Sequence, residues 1–114
     1  MPPLVDPQIL DCIKAVLSNW YVTDYVTAKD EALDWAGKNL PDFALKTLAK
    51  LMHAHAAKGE RIDQVRETRP EWNDRDYHYD FRLHWGSRLV YIETILVDDD
   101  PTDPTLHIVR IKDA

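Results

Sequence analysis

The sequence is poor in cysteine and glycine, and it has no long apolar run. Its one cysteine, Cys12, excludes an intramolecular disulfide and a zinc site built on several thiolates. Three glycines cannot form a glycine-rich phosphate loop. No apolar segment approaches the roughly 20 residues that cross a bilayer, and the N-terminus lacks the pattern of a signal peptide. These absences predict a cytoplasmic protein with no membrane partner.

Basic residues are also outnumbered by acidic ones. The chain has 14 lysines and arginines against 20 aspartates and glutamates, which gives a formal net charge of −6. Nucleic-acid binders rely on basic residues to displace counterions from phosphate, so this balance disfavours a general nucleic-acid binder. The segment 58–91 differs from the rest of the chain, because its seven basic and seven acidic residues balance.

What is present favours one folded domain, residues 1–114. Hydrophobic residues make up 45% of the chain and charged residues 30%, which is typical of a globular protein. A chain of 114 residues fits one core better than two, because two smaller cores would each be marginally stable. The patterns described below predict an α+β fold, with two or three N-terminal helices on one face of a four-stranded antiparallel β-meander.

Three helices are predicted in the first half of the chain. Asp6 and Pro7 are suited to begin the first, and its apolar stripe contains Leu10, Ile13, Val16, Leu17 and Trp20. The second is predicted from Thr27 to Gly37, with Asp30 as a capping-box partner. The third is predicted to begin at Pro41 or Asp42 and to end before Gly59, with an apolar side formed by Phe43, Leu45, Leu48, Leu51 and Met52.

Alternation replaces the helical period in the second half. Apolar and polar residues alternate over 76–85, and Gly86-Ser87 predicts a type II′ hairpin leading into a strand over 88–97. Strands at about 60–68 and 105–111 complete the predicted meander. The helices and this hairpin together predict core positions at Leu45, Leu48, Phe81, Leu83, Val90 and Ile92.

The hairpin turn also predicts which side chains share the outer, solvent-facing side of the sheet. If Trp85 pairs with Arg88, then Arg82 lies beside Tyr91 and Asp80 lies beside Glu93. His84 and His78 fall on the same side, next to Leu89 and Ile95. Cross-strand neighbours lie roughly 5 Å apart, so these groups form a cluster.

This cluster has two interpretations. A guanidinium, a phenol, a carboxylate and an imidazole could bind phosphate and transfer protons, which makes Arg82, Tyr91, His84 and Glu93 the candidate catalytic residues. Antiparallel sheets also commonly carry a polar, solvated face with surface ion pairs and no activity. Replacement of Arg82 or Tyr91 is expected to leave the core intact, because both side chains are predicted on the solvent side.

Other polar groups are weaker candidates for a site. His53 and His55, two residues apart on a helix, point in different directions and cannot chelate one metal ion. The acidic loop Asp98–Asp103 has carboxylates for a hard cation but lacks the glycine turn and distal glutamate of a calcium loop. Trp72 lies in a predicted loop, where it is expected to fold back on the core as a lid or to serve as a binding anchor. No cofactor or metal is predicted.

The chain resembles a known family over roughly residues 21–111. The segments RPEWNDRDYHYDFRL and GSRLVYIETILV, after a helical first half, are similar to the RelE-like bacterial endoribonuclease toxins, particularly their motility quorum-sensing regulator (MqsR-like) branch. The resemblance implies RNA as substrate, a cognate antitoxin as partner, and a catalytic tyrosine at Tyr91. Cleavage would need no metal: Arg82 would stabilise the phosphate, and Tyr91, His84 or Glu93 would transfer protons. The chain departs from this family in its acidity and in having Glu93 where a lysine commonly accompanies the tyrosine.

The acidity supports an alternative of a different class. An immunity protein or inhibitor-like protein without catalytic activity would use acidic side chains to mask a basic protein partner, and complementary charge would steer that association. A third alternative is a small accessory subunit that pairs through the edge strand of the hairpin. The sequence leaves open all three alternatives and the oligomeric state.

Overall fold

Three helices and a five-stranded mixed sheet form an α+β fold in a computed structural model that describes residues 4–22, 24–98 and 104–114, apart from the side chain of Asp98. The helices are α1 (Pro7–Ser18), α2 (Asp30–Asn39) and α3 (Leu45–Ala57). The strands are β1 (Val26–Ala28), β2 (Ile62–Arg66), β3 (Tyr77–Trp85), β4 (Arg88–Asp98) and β5 (Thr105–Asp113). No helix in the described ranges is long and apolar enough to cross a membrane.

Helix α1 begins where the sequence predicts. The Asp6 carboxylate accepts a hydrogen bond from the Gln8 backbone N–H at 3.2 Å, and Pro7 occupies the first turn, where its missing N–H leaves no bond unmade. Ile13, Val16 and Leu17 on the predicted stripe are fully buried. The predicted stripe therefore anchors the helix to the core.

The predicted start of the second helix at Thr27 is wrong. Thr27 belongs to β1, which pairs in parallel with β5, and its hydroxyl lies 2.7 Å from His107 Nδ1 instead of capping a helix. Helix α2 begins three residues later, and it continues through Gly37 to Asn39. A three-residue strand is invisible to periodicity, because its partner lies at the other end of the chain.

Helix α3 starts later than predicted. Asp42 has a φ of 55°, in the left-handed region that a helix cannot include, and Ala44 is extended, so the first helical residue is Leu45. The predicted end is confirmed. The helix stops at Ala57, and Gly59 adopts a φ of 74°.

The sheet has the strand order β1-β5-β4-β3-β2. Its four later strands form the predicted antiparallel meander. The prediction of a purely antiparallel four-stranded sheet is incorrect, because β1 adds a fifth, parallel strand beside β5. All three helices contribute to a core that covers one face of the sheet.

The register of the central hairpin is confirmed. Pairing runs from Trp85↔Arg88 to Tyr79↔Thr94 and includes Arg82↔Tyr91. Gly86 supplies the positive φ of 62° at the first central position, which is the conformation that a type II′ turn requires. The turn therefore fixes which side chains of β3 and β4 face the helices.

The helix-facing side of this hairpin forms the centre of the core. Of the six predicted core residues, five are buried, and Leu45 is half-buried and packs against the core margin; the five are Leu48, Phe81, Leu83, Val90 and Ile92. Trp20, Trp35 and Trp85 also pack at the margin.

Candidate functional site

The face of the sheet opposite the helices, here called the outer face, carries two rows of polar side chains that run across the strands. Strand pairing places Arg82, Tyr91 and Lys112 side by side, which we call the tyrosine row. Pairing places the next row alongside it; this carboxylate row consists of Asp63, Asp80, Glu93 and Arg110. The predicted cluster is thus part of a larger array.

The three carboxylates of the carboxylate row are buried, with exposed fractions of 3% for Asp63, 4% for Asp80 and 8% for Glu93. A buried carboxylate is costly unless hydrogen-bond donors replace its water. Each of the six oxygens has such a partner; the partners are Arg61 and Arg82 on Asp63, His78 and Tyr91 on Asp80, and Tyr91 and Arg69 on Glu93. The negative charge is therefore compensated within the protein.

The loop between β2 and β3 completes this network. The Arg69 guanidinium donates to Glu93 Oε2 and to Glu67 Oε2, both at 2.8 Å. The hydrogen bond and charge of Arg69 hold the pKa of Glu67 below its usual range, even though burial opposes the shift. Arg69 thereby joins the loop to the sheet.

Trp72 lies in the same loop, and it does not cover the helix-side core. Its ring packs against that of His107 of β5 at a tilt of 50°, with centroids 5.8 Å apart, and the side chain is half-buried. The predicted lid on the core is therefore wrong in position, because the loop folds onto the opposite side of the sheet. There it covers the end of the outer face near β1.

Tyr91 lies at the junction of the two rows. Its hydroxyl is 2.7 Å from Asp80 Oδ2 and 3.0 Å from Glu93 Oε1, so one phenolic proton is directed toward two carboxylates. Burial, the hydrogen bond to Asp80 and the nearby negative charges raise the pKa of Tyr91 well above its usual value. Tyr91 is consequently a neutral hydrogen-bond donor at physiological pH.

Two cations flank the ring of Tyr91. The Arg82 guanidinium and the Lys112 ammonium each lie 5.0 Å from its centroid, within the range of a cation–π interaction. The Arg82 side chain is 51% exposed, and Lys112 is also exposed. The tyrosine row therefore presents two positive groups to solvent on either side of a phenol.

His78 supports the network from the end of β3. Its Nδ1 lies 2.7 Å from Asp80 Oδ1. Burial disfavours the imidazolium, but the hydrogen bond to Asp80 and the charges of Glu93 and Glu67 outweigh burial, so the pKa of His78 is raised. A protonated His78 adds positive charge beneath the outer face.

The four predicted catalytic residues lie on the same face but in different surroundings. Arg82 and Tyr91 are direct neighbours, as predicted. His84 is exposed two residues after Arg82, on the same side of β3. Glu93 is buried, and both its oxygens are engaged. Tyr91, Arg82 and His84 can therefore meet a ligand, whereas Glu93 holds Tyr91 and Arg69.

Three residues of this face are not among the predicted site residues, namely Lys112, Asp63 and Arg69. The final strand is predicted to end at Ile111, but it runs to Asp113 and brings Lys112 opposite Tyr91. Alternation of Arg110 and Lys112 with apolar neighbours is the signal that would extend the strand. Asp63 and Arg69 carry no comparable signal, because their roles depend on pairing with distant residues.

No group of three histidine, cysteine, aspartate or glutamate side chains is arranged to hold a metal ion within residues 4–22, 24–97 and 104–114. The outer face instead presents donors, namely the guanidinium of Arg82, the ammonium of Lys112 and the phenol of Tyr91. Donors of this kind bind anions such as phosphate. The candidate cation loop Asp98–Asp103 lies outside the described residues, apart from the backbone of Asp98.

Comparisons of the chain with protein-family models, with curated proteins and with solved structures each find no match.

Proposed function

We propose that the protein is a metal-independent endoribonuclease of the RelE-like toxin type, which binds RNA on the outer face of its sheet. The observation that carries this proposal is the sorting of charge on that face. The carboxylates of the carboxylate row are buried and paired, whereas Arg61 and Arg82, the partners of Asp63, are exposed, and so are Arg110 and Lys112. The surface offered to a ligand is therefore cationic, although the whole chain has a net charge of −6.

The main objection to RNA binding is the net negative charge of the chain, and burial of the carboxylates beneath exposed cations removes it. Phosphate affinity depends on the cations that face the nucleic acid, and charges beyond about 10 Å are screened at ordinary salt. The acidic residues on the helices act at longer range, where they slow association without occupying the binding face. An acidic chain can thus carry a local phosphate site.

The chemistry follows from the tyrosine row. The ribose 2′-oxygen attacks the adjacent phosphorus as the bond from phosphorus to the 5′-oxygen breaks, which yields a 2′,3′-cyclic phosphate and a 5′-hydroxyl. Arg82 and Lys112 stabilise the negative charge that develops on the phosphoryl oxygens. No step of this reaction requires a metal ion or a cofactor.

Tyr91 and His84 supply the proton transfers. With its raised pKa, Tyr91 gives up its proton only to a strongly basic oxygen; in this scheme the hydroxyl leaves its hydrogen bonds to Asp80 and Glu93 and donates to the leaving 5′-oxygen. His84 is exposed on the adjacent strand, diagonal to Tyr91, at a spacing of roughly 7 to 8 Å. In this scheme His84 accepts the 2′-hydroxyl proton, and Glu93 positions Tyr91 without touching RNA.

Cleavage of single-stranded RNA in the presence of EDTA tests the proposal. Wild-type protein should release products that end in a 2′,3′-cyclic phosphate. Tyr91→Phe should lower the rate of the chemical step by about 10²-fold to 10⁴-fold, the usual contribution of a general acid, and Arg82→Ala should also lower it. Circular dichroism of each variant keeps loss of folding apart from loss of catalysis.

Arg66→Ala is the matched control. Arg66 is an exposed arginine on β2, and its guanidinium lies over Tyr77, on the helix side of the sheet. This variant should cleave at the wild-type rate. Equal rates for wild type, Arg82→Ala and Tyr91→Phe would reject the assigned roles, and no cleavage by wild type would reject the nuclease.

A second candidate is an acidic protein that binds a basic protein partner. It is favoured by a cavity of about 330 Å³ at the end of the sheet, where Asp6, Asp74 and Asp76 are exposed around Tyr77 and Tyr79. Under the nuclease proposal, the basic protein that binds at this cavity is a cognate antitoxin. If wild type cleaves no RNA yet binds a basic protein, and Asp74→Asn with Asp76→Asn abolishes that binding, the interaction protein is the better assignment.

A further inference from the structure

A cavity of about 450 Å³ lies between α3 and the end of the β3–β4 hairpin, next to the tyrosine row. Strand β2 pairs with β3 as far as Phe81, and beyond it α3 borders the strand. The apolar lining of the cavity consists of Leu51 and Leu83 on the helix side of the sheet and Leu89 on the outer face. This volume lies in the range of sites that hold small ligands.

The rim of the cavity is polar and mostly basic. His55 of α3 and Lys58, just beyond the end of α3, contribute from one side, and Arg82 and His84 contribute from β3, against one carboxylate from Glu60. Lys58 is exposed. The cavity thus combines an apolar lining with donors for an anion.

His55 is held in one orientation inside this cavity. Its Nε2 lies 2.7 Å from the backbone carbonyl of Arg61, and its ring centroid lies 5.5 Å from that of Phe81. A carbonyl oxygen can only accept, so Nε2 carries the proton of this bond. In the neutral imidazole Nδ1 is therefore left as an acceptor.

Arg82 connects the cavity to the tyrosine row. Its side chain lines the cavity, and its guanidinium lies over the ring of Tyr91. His84 also lines the cavity and is the group assigned above to accept the 2′-hydroxyl proton. A strand of RNA whose scissile phosphate lies at Arg82 would pass directly into this cavity.

We infer that the cavity is a second nucleotide subsite, which holds the residue of single-stranded RNA next to the cleaved bond. This inference rests on the proposed function. The base packs against the leucines that line the cavity, the adjoining phosphate contacts Lys58, and His55 Nδ1 accepts a hydrogen bond from a base N–H. Apolar contact with a base is tolerant of sequence, and the imidazole supplies the one directional contact.

Binding of a 2′-O-methyl pentaribonucleotide tests the subsite separately from catalysis, because the methyl group blocks the attacking oxygen. The nuclear magnetic resonance signals of His55 and Leu89 should shift on titration. Lys58→Ala should weaken binding roughly threefold to tenfold, as expected for one lost phosphate contact. The slope of log affinity against log salt concentration should fall by roughly 0.7, the value for one contact to a single strand.

Lys14→Ala is the matched control, because Lys14 is an exposed lysine of α1 whose loss changes the net charge equally. It should leave affinity and salt slope near those of wild type. If wild type cleaves RNA but Lys58→Ala binds the oligonucleotide as tightly as wild type, the subsite is rejected and the nuclease stands. If wild type binds with the expected shifts yet cleaves no RNA, the cavity is supported as a nucleotide-binding site, but the nuclease and the placement beside a cleaved bond are rejected. Absence of both binding and cleavage rejects both.

Discussion

Replacing Tyr91 by phenylalanine should destabilise the protein, although the side chain lies on the side of the sheet that sequence analysis assigns to solvent. The substitution removes one hydroxyl and keeps the ring. That hydroxyl lies 2.7 Å and 3.0 Å from two carboxylate oxygens whose residues are 4% and 8% exposed. Without it, Asp80 and Glu93 each lose a donor in a place that water reaches poorly.

The expected magnitude follows from the single phenolic proton. One hydrogen bond to a charged group contributes about 1.5 to 3 kcal/mol, so the free energy of unfolding should fall by that amount. At an unfolding entropy of about 2.1 cal/mol/K per residue over 114 residues, the melting temperature should fall by about 6 to 13 °C. Thermal denaturation followed by circular dichroism measures this shift.

Tyr21→Phe is a control with the same atomic change. Tyr21 is 58% exposed, so its variant should differ from wild type by less than about 0.5 kcal/mol. A double-mutant cycle of Tyr91→Phe with Asp80→Asn should show coupling, since the first change removes the donor of one hydrogen bond and the second removes the charge of its acceptor. If Tyr91→Phe has the same melting temperature as wild type, the hydroxyl does not donate to these carboxylates. The hydrogen bonds described for the carboxylate row would then be wrong.

Two further predictions concern the core and the pH dependence of stability. Leu48→Ala should lower the free energy of unfolding by about 2 to 5 kcal/mol, because Leu48 is fully buried, and a change near zero in urea denaturation would contradict the docking of α3. His78 has a raised pKa, so its contribution to stability is complete below its unfolded value of about 6.5 and is lost as the pH rises through its folded value. The stability difference between wild type and His78→Gln should therefore shrink from pH 6 toward pH 8.5, whereas a difference that is constant across this range would show that His78 does not titrate there.

The central hairpin is the part of the fold that sequence determines most directly. Glycine at position 86 fixes the turn, the turn fixes the register, and alternation fixes the faces, so the pairing of Arg82 with Tyr91 follows from the hairpin sequence alone. Each step depends on residues close together in the chain. Strand β1 cannot be predicted in this way, because its three residues carry too little pattern and its pairing partner, β5, is distant in the sequence.

The candidate site also combines residues that the hairpin sequence predicts with residues that only the pairing of distant segments supplies. Arg82, His84 and Tyr91 are found from the hairpin alone, but Lys112 enters through pairing of β4 with β5, whose register contains a bulge between Glu93 and Thr94. Burial of the carboxylates is also hidden in the sequence, because it depends on Arg69 folding back from a loop. The acidic composition therefore predicts a negative surface, whereas the exposed side chains of the two rows on this face are positive.

The pairing of β1 with β5 has a consequence for the order of folding. Thr27 and His107 are separated by 80 positions, and β5 is the neighbour that both β1 and β4 require. During synthesis on the ribosome the helices and the central hairpin can emerge and collapse early, but the edge strand has no template until residues 105–113 leave the exit tunnel. Contacts of such high contact order close late and slowly, so the apolar residues that β5 covers remain open to chaperones until β5 itself has emerged and paired.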